Sequence, residues 1–130
     1  MIVDDKGVMR SLTRRCLEHI GFTHIYEAAN PVEALPIARA NRVHVIISDY
    51  NMPRMNGLEF LETIRQDFLL RKVGFIMLTG SGDSCIVKKA EELGANGYLV
   101  KPFSIADLKE RIEDLFGVVT GTRRKAAACG

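Results

Sequence analysis

No apolar run in this chain approaches the roughly 20 residues needed to cross a bilayer. The N-terminus also lacks the basic-then-apolar pattern of a secretion signal. Both absences point to a protein that stays in the cytoplasm, away from membranes. Cysteine is scarce, and Cys16, Cys85 and Cys129 stand at spacings that match no metal motif. An odd number of cysteines without an export signal suggests reduced thiols, with Cys16 on a helix's apolar face as a small buried hydrophobe. An excess of one charge is missing too. The net charge of +2 becomes −1 once Arg123, Arg124 and Lys125 of the C-terminal stretch are set aside. A body so near neutrality offers no electrostatic footprint for nucleic acid. Internal repeats and the pattern of a second domain are absent as well.

What the chain does have is alternation. With 130 residues, 47% apolar and 26% charged, it fits one ordinary domain. Short apolar runs occur at Met1-Ile2-Val3, around Ile25-Tyr26, over residues 43–47 and 75–78, and at Tyr98-Leu99-Val100. Residues 43–47 and 75–78 show little polar alternation, as strands do when both sheet faces are covered. Helical spacing fills the gaps. Val8, Leu12, Cys16 and Ile20 recur every four residues beside Met9 and Leu17, with Gly21 as a stop. Asn30-Pro31 caps and opens a second helix, in which Pro36 should introduce a kink. A third runs from about Gly57 with Leu58, Leu61, Ile64 and Phe68 on one face. A fourth carries Ile86, Val87, Ala90 and Leu93 ahead of Gly94. The fifth opens at Ser104, with Asp107 completing a box-like cap, and buries Ile105, Leu108, Ile112 and Leu115. Five βα units in succession require right-handed crossovers and a parallel sheet between helical layers. The pattern stops at about Gly117. Residues 1–117 are therefore the domain, and 118–130 a flexible tail or the start of a linker.

The strand ends carry the chemistry. The first strand runs into Asp4-Asp5, the third into Asp49, the fourth into Thr79 and the fifth into Lys101. The carboxyl edge of an open α/β sheet is where ligands bind. Singly, each residue has a plainer role: an Asp after a strand is most often a helix cap, a Thr satisfies local backbone, and a Lys is solvated. Independent caps have no reason to deliver acid, acid, hydroxyl and ammonium to one rim. Converging carboxylates ask for a cation, and oxygen-only ligation by Asp5, Asp49 and a main-chain carbonyl two residues after Asp49 suits Mg²⁺. No His or Cys stands nearby to suggest zinc. A carboxylate beside Mg²⁺, a hydroxyl and an ammonium is suited to receive a phosphoryl group, with Asp49 as nucleophile.

Together these stretches resemble the receiver domains of two-component response regulators, the CheY-like family. The resemblance covers Ile2 to about Phe116. It rests on Ile2-Val3-Asp4-Asp5, on Ser48-Asp49-Tyr50-Asn51-Met52-Pro53 with Asn56-Gly57, on Met77-Leu78-Thr79-Gly80, and on residues 94–103, Gly-Ala-Asn-Gly-Tyr-Leu-Val-Lys-Pro-Phe. It implies a (βα)5 doubly wound, flavodoxin-like three-layer sandwich with a five-stranded parallel sheet in the order 2-1-3-4-5. Asp49 is then the phosphoacceptor, fed by a phosphohistidine on a sensor histidine kinase or phosphotransfer protein. Mg²⁺, for which Mn²⁺ can substitute, is bound by Asp5 and Asp49, by Asp4 partly through water, and by the main-chain carbonyl of Asn51. Thr79 and Lys101 hold phosphoryl oxygens, and Lys101-Pro102 is a cis peptide. Thr79 and Tyr98 form the switch. On residue type alone, Tyr98 reads as an ordinary strand aromatic. The implied output is a downstream effector on the face of the fourth helix, fifth strand and fifth helix, from a monomer or weak dimer.

Only three residues precede Asp4, fewer than the family usually has, and so short a central first strand is expected to cost stability. A receiver excised from a longer regulator or hybrid kinase fits the sequence equally well. An aspartate-nucleophile phosphatase would want a second acid where Asn51 stands. An FMN module would not place Asp4 and Asp5 against an unbridged phosphate. A receiver that works without phosphate would lack one of the key positions. Asn51 and Ser81 occupy the positions that tune water access and supply no acid or base, which suggests modest self-dephosphorylation.

Overall fold

β1 (Ile2–Val3) is an interior strand, and the chain returns to it twice, pairing one strand along each of its edges. The computed structural model describes residues 1–80 and 84–116. Beyond β1 come α1 (Gly7–Ile20), β2 (Glu27–Ala28), α2 (Pro31–Ala40), β3 (Val45–Asp49) and α3 (Gly57–Gln66). These are followed by β4 (Gly74–Thr79), α4 (Ser84–Glu92), β5 (Gly97–Val100) and α5 (Ile105–Phe116). All strand pairs are parallel, in the order β2-β1-β3-β4-β5. The tail expected over 118–130 and the position Ser81 lie outside the described residues. No helix among the described residues is long and apolar enough to cross a membrane.

Successive residues of a strand point to opposite faces, so each buried strand feeds two cores. Val3, Ile46, Phe75 and Met77 pack with Ala34, Ala38, Phe60, Leu61 and Ile64 of α2 and α3. Ile2, Val45, Ile47, Ile76 and Leu78 pack on the other side with Leu17 of α1 and with Leu108 and Ile112 of α5. Both faces are covered, which is why β3 and β4 read as unbroken apolar runs. Phe60 and Phe75 meet edge to face, with ring centroids 5.7 Å apart.

Several helical faces differ from the spacing in the sequence. Val8 is 74% and Leu12 48% exposed, while Thr13 and Leu17 face the sheet. A stripe repeating every four residues drifts by about 40° per step on a helix of 3.6 residues per turn. Its start therefore swings outward. Cys16 ends half-buried rather than buried, with its thiol pushed up by burial. In α5, Leu108 and Ile112 are buried and Leu115 half-buried, but Ile105 remains exposed. β2 forms at Glu27–Ala28, just beyond Ile25-Tyr26. α2 continues through Pro36 to Ala40, although proline cannot donate to the carbonyl of Val32. α3 ends at Gln66, so Phe68 falls outside it.

Caps fix where helices begin. The Asn30 side chain accepts from the Glu33 N–H at 2.9 Å. Ser104 and Asp107 form the reciprocal pair expected of them, both bonds at 3.0 Å. A further box closes α3, where Asn56 Oδ1 accepts from the Glu59 N–H and Glu59 Oε1 from the Asn56 N–H, both at 2.9 Å. At the far end of α3, the Arg65 guanidinium donates to the carbonyls of Arg71, Val73 and Gly94 and to Asn96 Oδ1. That one side chain stitches α3 to the strand entries of β4 and β5. Replacing Asn56 with Ala removes one half of the box. It is expected to lower unfolding stability by about 1 kcal/mol, read as a lower urea midpoint at unchanged slope; an unaltered midpoint contradicts the cap's role.

Candidate active site

Four strands end at one rim, and each delivers one polar side chain there. Asp4 follows β1, Asp49 closes β3, Thr79 closes β4 and Lys101 follows β5. Asp4, Asp49 and Thr79 are buried, although they are polar. Such burial needs compensation, because a desolvated charge is costly unless it is paired. Part of the compensation is visible. Lys101 Nζ lies 3.0 Å from Asp49 Oδ1, and its main-chain N–H bonds the Thr79 carbonyl at 2.8 Å. The Lys101-Pro102 bond is cis, as the resemblance implied.

The rest of the compensation is missing. Asp4, Asp5 and Asp49 each offer one carboxylate oxygen to a cluster in which all lie within 4.8 Å of one another. Asp4 Oδ2 and Asp49 Oδ2 are buried without a hydrogen-bond partner. Burial pushes the Asp4 carboxyl above its ordinary range, opposed by the Lys6 N–H bonded to its Oδ1 at 2.9 Å. The Asp49 charge raises it further. Two orphaned anionic oxygens beside an exposed third acid fit a hard divalent cation with oxygen ligands, Mg²⁺ above all. Asn51 is exposed two residues past Asp49, at the same rim.

Further residues to which the sequence alone assigns no part in the site also shape it. Arg10 donates to the Asp4 carbonyl at 2.8 Å and pairs with Glu27 at 3.4 Å. Glu27 also takes Arg14 at 2.6 Å. This ties α1 to β2 across the strand that carries Asp4. Lys6 Nζ stands 3.7 Å from Asp5. Gly57, at the start of α3, lies so close under β3 that a Cβ there would sit 2.8 Å from the Asp49 main-chain oxygen and 2.9 Å from Tyr50 Cα. Only Asn56-Gly57, a cap followed by a residue without a side chain, hinted at that approach. Between them, Arg54 takes a positive φ of 71° in the turn where the Met55 N–H meets the Pro53 carbonyl. Tyr98 is half-buried and pairs with Met77 in register, one pleat before Thr79 pairs with Val100. Tyr98 and Thr79 thus share a region of the β4–β5 ladder.

The family model of the response regulator receiver domain matches residues 1–113. A probable chemotaxis protein CheY of Rhizobium etli is 40% identical over 119 residues, covering 92% of each chain. The chemotaxis protein CheY of Pseudomonas aeruginosa is 36% identical, over 93% of this chain and 98% of the relative. Among solved structures, a putative response regulator from Chloroflexus aurantiacus superposes with a TM-score of 0.82 at 31% identity, covering 88% of this chain and 93% of that one. The chemotaxis protein CheY4 of Vibrio cholerae gives 0.80 at 34% identity, over 86% and 92%.

Because folding raises the Asp4 carboxyl pKa, the unfolded chain ionises first as pH climbs. Stability is therefore lost from about pH 4 up through the folded value and stays reduced above it. Asp4→Asn removes this penalty. In metal-free buffer containing chelator, the variant is expected to be about 1–3 kcal/mol more stable than wild type at neutral pH, and the two curves should converge in acid. A variant no more stable at pH 7 would contradict the picture of an uncompensated buried carboxylate.

Proposed function

The chain belongs to the response regulator receiver family, and from that premise we propose that residues 1–117 act as a phosphorylation switch with Asp49 as phosphoacceptor. The observation that carries the reading is the pairing of a buried Asp49 with Lys101 at 3.0 Å inside a cluster of three acids. The donor is a phosphohistidine on a sensor kinase or phosphotransfer protein. A free Asp49 carboxylate oxygen attacks phosphorus, the P–N bond breaks as the P–O bond forms, and the leaving imidazole takes up a proton. Lys101 holds Asp49 Oδ1, which orients the carboxylate and offsets charge on the arriving phosphoryl group. Thr79, at the end of the neighbouring strand, donates its hydroxyl to a phosphoryl oxygen.

Asp5, Asp49 and the Asn51 carbonyl would hold Mg²⁺, with Asp4 reaching it through water. When bound, the ion neutralises the charge that builds on the transferring oxygens. Asn51 supplies no acid to drive repeated turnover, which favours a reversible acceptor over a phosphatase. Phosphorylation adds roughly two negative charges. Bonds from Thr79 and Lys101 to that group are available in one arrangement of the β4–β5 ladder and not in the other, and this difference biases the equilibrium. Tyr98 shares the ladder and turns inward with Thr79. The effector then reads the face formed by α4, β5 and α5, where Val100 is exposed. Residues 118–130 serve as a tail or lead to a further segment.

Incubation with acetyl phosphate and Mg²⁺, followed by intact mass, tests the reading. One phosphoryl group per wild-type chain and none on Asp49→Asn are expected. No gain by wild type, or the same gain by both proteins, defeats it, and steady turnover of a generic phosphate ester would return the phosphatase.

Lys6 makes a second check. Its ammonium sits beside the metal-ligand acid Asp5, and a positive charge a few ångströms from a divalent cation is repelled by on the order of 1 kcal/mol even in water. Lys6→Ala should therefore bind Mg²⁺ about three- to tenfold more tightly at low salt. Calorimetric titration with Mg²⁺ reads this directly. Unchanged or weaker affinity would show that Lys6 has no influence on the site.

A further inference from the structure

α3 stops before the end of its apolar spacing, and the stop turns two large apolar side chains outward. Phe68 is 81% and Leu69 67% exposed, while the next residue, Leu70, is buried. The turn that does this is well bonded. Asp67 Oδ1 accepts the Leu69 N–H at 2.9 Å, and the Asp67 carbonyl accepts the N–H groups of Leu70 and Arg71 at 3.1 and 2.9 Å. Asp67 Oδ2 takes Arg39 Nε at 2.7 Å, which fastens the turn to α2. The Arg71 guanidinium lies 5.5 Å from the centre of the Phe68 ring. Phe68 and Leu69 are thus presented by a fixed backbone, not by a loop without bonds.

Beside them runs a groove lined by Arg39, Arg42, His44, Leu69 and Lys72 over an apolar floor that includes Val43. No acid lines it among the described residues, and Asp67 at its edge is already paired with Arg39. The groove lies at the amino-terminal ends of β3 and β4, so it is at the opposite end of the sheet from Asp49. It meets the proposed effector face at Phe116, the last residue of α5, but takes in no residue of α4 or β5 among the described residues, and its case does not depend on phosphorylation.

We propose that this end of the domain docks an acidic, apolar-bearing segment of a partner protein. Phe68 and Leu69 supply the apolar contact, as exposed adjacent hydrophobes rimmed by polar groups do at interaction sites. Arg42, Arg71 and Lys72 supply charge that selects an acidic partner and steers its approach. A second copy of this chain is a poor occupant, because a two-fold contact would set the basic groove against itself. A nucleic acid strand is disfavoured as well. Among the described residues it would find Phe68, with Arg71 already over it, and Phe116, which is no run of rings on which successive bases could stack.

The test is a titration of the full chain with a synthetic peptide of Glu and Leu at helical spacing, followed by backbone amide shifts. The same peptide with Lys in place of Glu, a single-stranded oligonucleotide and anionic lipid vesicles serve as the other arms. Shifts confined to residues 38–44, 67–73 and Phe116 are expected, with binding about tenfold weaker for Phe68→Ser and for Arg42→Glu. Both positions are exposed, so the two variants should keep the wild-type melting curve and still label at Asp49. The proposal is overturned by absent binding, by a footprint elsewhere, by equal binding of the Lys peptide or of the variants, by preference for oligonucleotide or vesicles, or by dimerisation that Phe68→Ser abolishes.

Discussion

Two buried carboxylates share one ammonium, and much of the rest of the structure accommodates that imbalance. At 4.8 Å, like charges repel by about 3–4 kcal/mol at the effective dielectric of a protein, near 20. Asp4 and Asp49 are held at such a separation because β1 and β3 pair in parallel and end together. Lys101 answers Asp49 on one side. Arg10 and the Lys6 N–H fasten the main chain and side chain of Asp4 on another. What they leave unanswered is an electrostatic deficit of the kind that a hard divalent cation would make good.

The architecture was largely legible because its signals are local. Apolar runs such as Phe75-Ile76-Met77-Leu78, the caps at Asn30 and Ser104, and the polar residues at strand ends all survive without knowledge of the partner elements. The site was legible for the same reason, since the carboxyl rim follows from strand direction. Legibility ended where one element depends on another. Val8, Leu12 and Phe68 share an apolar identity with truly buried residues, and only the position of the sheet decides which side of α1 faces inward, while Phe68 lies past the end of α3. Arg10 looked like any helix-surface cation until β1 and β2 set the Asp4 carbonyl and Glu27 on either side of it. The crowding at Gly57 is likewise invisible until α3 lies under β3.

The β4–β5 ladder links the reacting end of the proposed switch to its readout. Thr79 pairs with Val100, and its carbonyl accepts the Lys101 N–H, so the two residues proposed to hold phosphate are adjacent rungs. Tyr98 lies two residues back on β5, with its carbonyl held by Arg111 of α5 at 3.2 Å. Hydrogen-bonded structure therefore runs unbroken from the end of β4 to the exposed side of β5 and on to α5.

Arg65 anchors the carboxyl end of α4. Its guanidinium grips the Gly94 carbonyl twice, just past the last turn of α4, and Asn96 beside it receives the Phe75 N–H as well. Gly94 itself adopts a left-handed φ of 100°, closing the helix end with bonds back to Glu91 and from Ala95 to Ala90. The carboxyl end of α4 is therefore moored from three directions, so that one guanidinium sets where the helix stops, where β5 starts and how α3 lies against both.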